Sequence, residues 1–407
     1  MNKIIWISAA VLSVAACAKN EVIPVNSGEN QEITFNVAPK TKADPDPEPE
    51  PKPEPKPEPK KEAFSTNNVF ASWAYYLPTG TDWEHKSDNP KEETYPKEYI
   101  SGAEIAYREK TEGSAEKVWK AQKTYYWPKN GTLTFFAYSL NKDNLDFKTV
   151  INDEGANVKR STVVCHSNSG IYAYIDLSVD KNVDFLVADP AMDKKSNVDE
   201  GKHFVDGVPT LFHHKLSYII FNVKTEDYSA AGKTLTLKSI KFNNVSYEGD
   251  YRDIASKSPA ISAGFTSGAK GAVNYTSGST ESPFSQVIKS TNSGISPIDN
   301  SLYIPQTFAK GSNANENAYI EVKYTITTTV AFTTPEGQPS TKEVVEEVTK
   351  NIFLNPATGT PMFDKWEMGK KYTINLKFTL DEILWDPAVQ DWEDVNIGTD
   401  TKPIIVG

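Results

Sequence analysis

Apolar and polar residues alternate along this chain in short runs, and the period of two recurs from one end to the other. Ile33, Phe35 and Val37 alternate with Thr34 and Asn36. Successive side chains of a strand point to opposite faces, so this run predicts a short, half-buried strand. Val69 to Tyr76, Leu133 to Ser139, Ile171 to Leu177 and Leu235 to Phe242 read the same way, and Val183 to Ala188 is a short apolar run. Tyr125 to Trp127 leads into a turn at Lys129 to Gly131, and Pro209 to Lys224 reads as one or two strands. Residues 256–300, rich in Ser, Gly, Thr and Asn, read as loops joining short strands. Tyr319 to Phe332 predicts a long strand, partnered by Lys342 to Leu354, where Val344, Glu346 and Val348 share a face. Further on, Tyr372, Ile374, Leu376, Phe378 and Leu380 fall on one face, and Thr373, Asn375, Lys377 and Thr379 on the other. Burying those five apolar side chains stabilises by roughly 7–15 kcal/mol as an upper bound, enough to hold a domain or two subunits together. Ile383 to Trp385 and Val389 to Trp392 follow. No segment carries a helical period, so the expected class is all-β, built of sandwiches.

Two stretches break this pattern. From Pro45 to Pro59 every second residue is proline, separated by Asp, Glu and Lys. Proline removes alternate N–H donors and fixes φ, so neither helix nor sheet ladder forms. A polyproline II spacer rises about 3.1 Å per residue, which makes residues 44–61 roughly 50 Å long when extended. This spacer separates the strand at 31–37 from all later strands.

The second is the start. Met1 to Lys3 is short and basic, Ile4 to Val14 is apolar apart from Ser8 and Ser13, and Val14 to Cys17 has the small-small-Cys form of a bacterial lipobox. An apolar run this short does not cross a bilayer core, which needs about 20 residues, so it reads as a cleaved signal. Cys17 is then the lipidation site and the mature N-terminus. Each buried methylene contributes roughly 0.8 kcal/mol, so two or more acyl chains hold a protein stably on a membrane.

Charge and chemistry narrow the classes. The chain has 407 residues and a formal charge of −11, which argues against nucleic acid as a partner and against adsorption to anionic lipid. Cys165 is the single cysteine besides Cys17, so no intrachain disulfide is expected, and it reads as an inert thiol within a strand-like run. His213 and His214 are adjacent and would face opposite ways on a strand, so with His203 they do not form a metal site. Trp73, Tyr75, Tyr76, Trp83, Tyr125, Tyr126 and Trp127 read as core aromatics rather than sugar platforms. Asp381, Glu382, Asp386, Asp391, Glu393 and Asp394 lack a calcium-loop spacing. With no nucleophile elbow, phosphate loop or zinc motif, no catalytic residue, cofactor or metal is expected.

The motifs in their order resemble the fimbrillin family, the FimA/Mfa-like subunits of type V pili. They are the lipobox, Glu32 to Val37 followed by Thr41 to Ala43, Val69 to Tyr76, Tyr125 to Pro128, Leu133 to Tyr138, Val183 to Ala188, Phe212 to Ser217, and Trp366 to Tyr372. The resemblance implies two transthyretin-like β-sandwich domains in tandem, after a lipoprotein signal and the Pro-rich spacer. The expected layout is a signal at 1–16, a leader with its strand at 17–43, the spacer at 44–62, and sandwiches at 63–206 and 207–407. It also implies export to the outer membrane by the lipid anchor, then cleavage by a processing protease that removes the first strand. The groove left open accepts a strand from another pilin subunit, by β-strand addition. On this chain Ile33, Phe35 and Val37 are the leader strand and Lys40 and Lys42, or else a lysine of the spacer, the candidate cleavage sites, since no arginine precedes Arg108. The donor is expected within 370–394, in Tyr372, Ile374, Leu376, Phe378 and Leu380 or in the run from Ile383 to Trp392. The expected role is a stalk, tip or anchor subunit of a surface fimbria that adheres to a host or bacterial surface ligand. A monomeric glycan-binding lipoprotein is the alternative, and a sandwich-fold glycosidase is weakest, for lack of a carboxylate pair.

Overall fold

A computed structural model describes residues 31–36, 62–140, 162–167, 169–178, 183–195, 207–253, 264–276, 283–295, 301–392 and 395–396. Among them the regular structure is strand throughout, apart from one 3-10 turn at Ser229–Ala231. Cys17, Val37, Lys40, Lys42, His203, Glu393 and Asp394 lie outside the described residues or, for the last two, between described strands.

The C-terminal half is a two-layer sandwich. One layer orders the strands Ser293–Ile295, Ser217–Thr225, Lys370–Phe378 and Ile383–Asp391; the other orders Lys270–Asn274, Lys233–Ser246, Tyr319–Thr333 and Pro339–Phe353. Alternation decides which residues meet. Ile219, Phe221 and Val223 of one layer face Leu235, Leu237, Ile240 and Phe242 of the other, all buried. Phe221 packs on Phe242 and Tyr324 on Phe378, with ring centroids 5.7 and 5.2 Å apart. Gln306 holds the end of Lys233–Ser246 at a buried point: its Oε1 accepts the Ser246 N–H at 2.8 Å, and its Nε2 donates to the carbonyls of Ser246 and Ile304.

The long hairpin follows the expected pairing over its whole length, from Tyr319↔Phe353 to Thr333↔Pro339. Its outer third overhangs. The neighbouring strand Lys233–Ser246 ends opposite Thr328, and past that point Val330 and Phe332 are 43% and 44% exposed; Val344 and Val345, opposite Thr328 and Thr327 on the return strand, are exposed as well.

The N-terminal half centres on an eleven-stranded sheet that includes Phe70–Leu77, Lys97–Glu109, Lys117–Ala121 and Thr132–Ser139. Val208–Pro209 lies at one end of the strand order and Leu211–His214 close to the other, although one residue separates them in sequence. The sheet therefore curls on itself, and its inner face encloses Phe70, Trp119, Phe135 and Phe212. Its outer face, with Tyr75, Phe136 and Tyr138, packs on a four-stranded sheet of Thr162–His166, Gly170–Asp176, Glu248–Arg252 and Gly264–Ser267. A boundary between residues 206 and 207 thus divides the chain but not the sheets, because Glu248–Arg252 pairs with Tyr172 to Asp176.

Candidate functional site

The leader strand sits inside the curled sheet. Phe35–Asn36 runs parallel to Val208–Pro209, and Phe35 is opposite Trp119 in an antiparallel pairing. Ile33 and Phe35 are 3% and 4% exposed. The Phe35 ring meets Phe70 and Phe135 edge-on, at 5.4 and 6.0 Å between centroids. Main-chain bonds hold the strand on both sides: Ile33 N–H donates to Tyr125 O at 2.8 Å, Trp127 N–H to Gln31 O at 3.1 Å, and Val208 N–H to Thr34 O at 2.7 Å. The polar face carries Glu32, whose carboxylate is 3.1 Å from Lys120 Nζ. The amphipathic leader thus fills a slot with an apolar floor and a paired rim, as its alternation predicts.

The strand expected as donor has a different setting. Tyr372, Ile374, Leu376 and Phe378 are at most 2% exposed, and Leu380 packs partly buried against the same core. Lys370–Phe378 is paired on both edges, in parallel with Tyr218 to Thr225 and antiparallel with Ile383–Asp391. Withdrawing it would open two ladders and bare the sandwich core. Its five apolar residues hold their own domain together, and physical availability passes to the runner-up stretch.

That stretch, Ile383–Asp391, is an edge strand. Leu384 and Val389 are 45% and 53% exposed, and Pro387 lies within it, where it has no N–H to offer a ladder. The chain then crosses to the other half: Val395–Asn396 pairs antiparallel with Leu211–Phe212 and parallel with Glu62–Ala63. Between the two strands stands Trp392. Its ring lies on the His214 imidazole at 3.6 Å and 10°, and beside Tyr218 at 5.1 Å and 25°. His214 Nδ1 is 2.7 Å from Asp184 Oδ2, both side chains being nearly fully buried.

The remaining chemistry-bearing residues are spoken for by packing. His213 turns away from His214 and lies 2.9 Å from Asp189. Tyr75, Trp83 and Trp127 are core residues, Trp73 stacks on Tyr138, and Tyr76 and Tyr125 are half-buried against the inner core. Asp381, Glu382, Asp386 and Asp391 are exposed. No group of three or more His, Cys, Asp or Glu able to hold a metal occurs among the described residues. Burial pushes the Cys165 thiol well above its usual range, and Tyr75 donates its hydroxyl hydrogen to the Cys165 carbonyl at 3.1 Å.

The strands Lys97–Glu109 and Lys117–Ala121, which supply Trp119 and Lys120 to the slot, were not foreseen. Ile100 and Ile105 both reach the inner core, yet they are five residues apart and of opposite parity. The pairing explains it: Ser72↔Ala103 is followed by Ala74↔Ile100, so one extra residue bulges beside Gly102, whose φ is 56°. A bulge turns the following side chains to the other face and hides the period from the sequence.

A match to the family described as fimbrillin-like spans residues 79–392. Among solved structures, a fimbrial protein from Bacteroides vulgatus is 14% identical, with 89% of this chain and 100% of that one covered and a TM-score of 0.49. The tip fimbrial protein Mfa3 and the fimbrial anchor protein Mfa2, both from Porphyromonas gingivalis, are 12% and 10% identical. Their TM-scores are 0.29 and 0.27; coverage is 81% of this chain and 97% of Mfa3, and 89% of this chain and 98% of Mfa2. No curated protein matches. The family match covers well over half of the sequence, and on it the chain belongs to the fimbrillin-like family.

Proposed function

We propose that this protein is a structural subunit of a cell-surface fimbria, exported as a lipoprotein through Cys17 and assembled by exchange of its leader strand. Family membership supports the fimbrial or adhesive role. The observation that carries the exchange is the leader itself. It contributes two buried apolar side chains, Ile33 and Phe35, in a slot bounded by main-chain partners on both sides. Such a slot accepts any strand of matching alternation, since the ladder bonds are sequence-independent and the pockets read alternate side chains. Cleavage at Lys40 or Lys42 would free the leader. The donor we propose is residues 383–392 of the neighbouring subunit, because Ile383–Asp391 is an edge strand and Lys370–Phe378 is not.

Sheared fibres test the reading. N-terminal sequencing should place the mature start beyond Lys40, and subunits should run as SDS-resistant ladders that collapse on boiling. A start at Cys17 in every fibre subunit would remove the exchange mechanism.

A further inference from the structure

The C-terminal segment of an isolated subunit is folded back on its own chain, and its contacts are unevenly spread. Among Asp386 to Asp391, all side chains but Pro387 are exposed. Trp392, in contrast, packs against the core beneath the outer face of the large sheet. Its main-chain N–H donates to Gly369 O at 2.7 Å, and Gly369 N–H in turn donates to Leu216 O at 3.0 Å. Gly369 has φ 64°, and a Cβ there would stand 3.2 Å from His214 O, so the carbonyl that receives Trp392 is aimed by a residue other side chains fit poorly. The rings that flank Trp392 are held as well. Asp184 fixes the His214 imidazole in its buried setting, and the Lys371 ammonium lies 5.6 Å from the Tyr218 ring.

We propose that Trp392 is a latch, seated in an aromatic slot made by His214 and Tyr218, which keeps residues 386–392 docked on their own subunit and must be vacated before they can leave it. The function proposed above is what gives the latch its purpose; its existence is a property of the single chain. Ile383 and Trp385 pack on the sandwich core at the start of the segment, which leaves Trp392 as the apolar side-chain anchor of its outer end, beside an exposed Lys370–Asp391 ion pair, so residues 386–392 loosen when that ring leaves. Stacked aromatic pairs and the associated burial are worth a factor of about ten in a local opening equilibrium.

Amide hydrogen exchange on the full chain, as a monomer, tests this without any second subunit. In Trp392→Ala, exchange across 386–391 should rise by about tenfold, while Ser217–Thr225 and Tyr319–Val330 stay at their original rates. Trp392→Phe, which keeps a ring in the slot, should exchange at close to the parent rate. Unchanged exchange in Trp392→Ala overturns the latch, and so does a rise shared equally by the whole sandwich or an equal rise in Trp392→Phe. Capture of each variant by a chain lacking residues 1–61 is a separate readout. Faster exchange with no capture keeps the latch and rejects donation of this segment; faster capture of Trp392→Ala supports both.

Discussion

Phe35 shows how much a single side chain contributes to the slot. It meets three rings or ring-bearing neighbours: Phe70, Phe135 and, across the ladder, Trp119. Removing a buried phenyl ring costs about 3–5 kcal/mol when the surroundings cannot collapse. Phe35→Ala should therefore lower the unfolding free energy of the full-length protein by an amount in that range, read from urea denaturation. A loss of less than about 1 kcal/mol would show that the ring is not seated in the slot. The residue's role could be read from the sequence because Ile33 and Phe35 alternate cleanly with polar neighbours. Trp392 could not be read in the same way. Its value lies in stacking on His214 and Tyr218, more than 170 residues earlier in the chain, and period-two patterning carries no information about such a pairing.

Strands whose two faces differ were legible, and strands with bulges or with a borrowed partner were not. The long hairpin was readable because β-branched residues run unbroken from Thr325 to Val330 and return through Val344, Val345 and Val348. The interior position of Lys370–Phe378 was not, since nothing in an alternating run says whether one edge or both will be paired. The overhang of the hairpin leads to a prediction of its own. Thr329 N–H donates to Gly232 O at 2.8 Å and is the last residue of its strand tied to the rest of the sandwich by a bond of this kind. Replacing Val330–Lys342 by an Asn-Gly turn should thus change unfolding free energy by no more than about 1 kcal/mol, since exposed substitutions contribute little. A larger loss in chemical denaturation would mean that the arm is covered in solution. Edge charges on the return strand, Glu343, Glu346, Glu347 and Lys350, protect it from pairing with other chains.

In the whole molecule, the leader's attachment is a balance of comparable terms. Burial of Ile33 and Phe35 stabilises by about 3–6 kcal/mol, and three main-chain bonds add about 0.5–1.5 kcal/mol each. A separate strand must offset an association cost of about 4–15 kcal/mol, which the covalent linker removes. The linker is therefore what keeps the leader in place. Its Lys52 and Lys56 each precede a proline, which leaves Lys40, Lys42, Lys60 and Lys61 as the bonds open to a trypsin-like enzyme. Limited trypsin digestion should nick the chain at those positions and release the leader, with a fall in thermal midpoint; a nicked protein that retains the leader through gel filtration would contradict the balance. The slot also has handedness in its backbone: one wall, Val208–Pro209, runs with the leader, and the other, at Trp119, runs against it. A strand entering in reverse would mispair with both walls. If a neighbour's strand takes this place, every subunit must point the same way along the assembly, so its two ends are chemically unlike, one an open socket and the other an unclaimed tail. Such a filament is vectorial, lengthens at one end and can be stopped by a single molecule lacking either part.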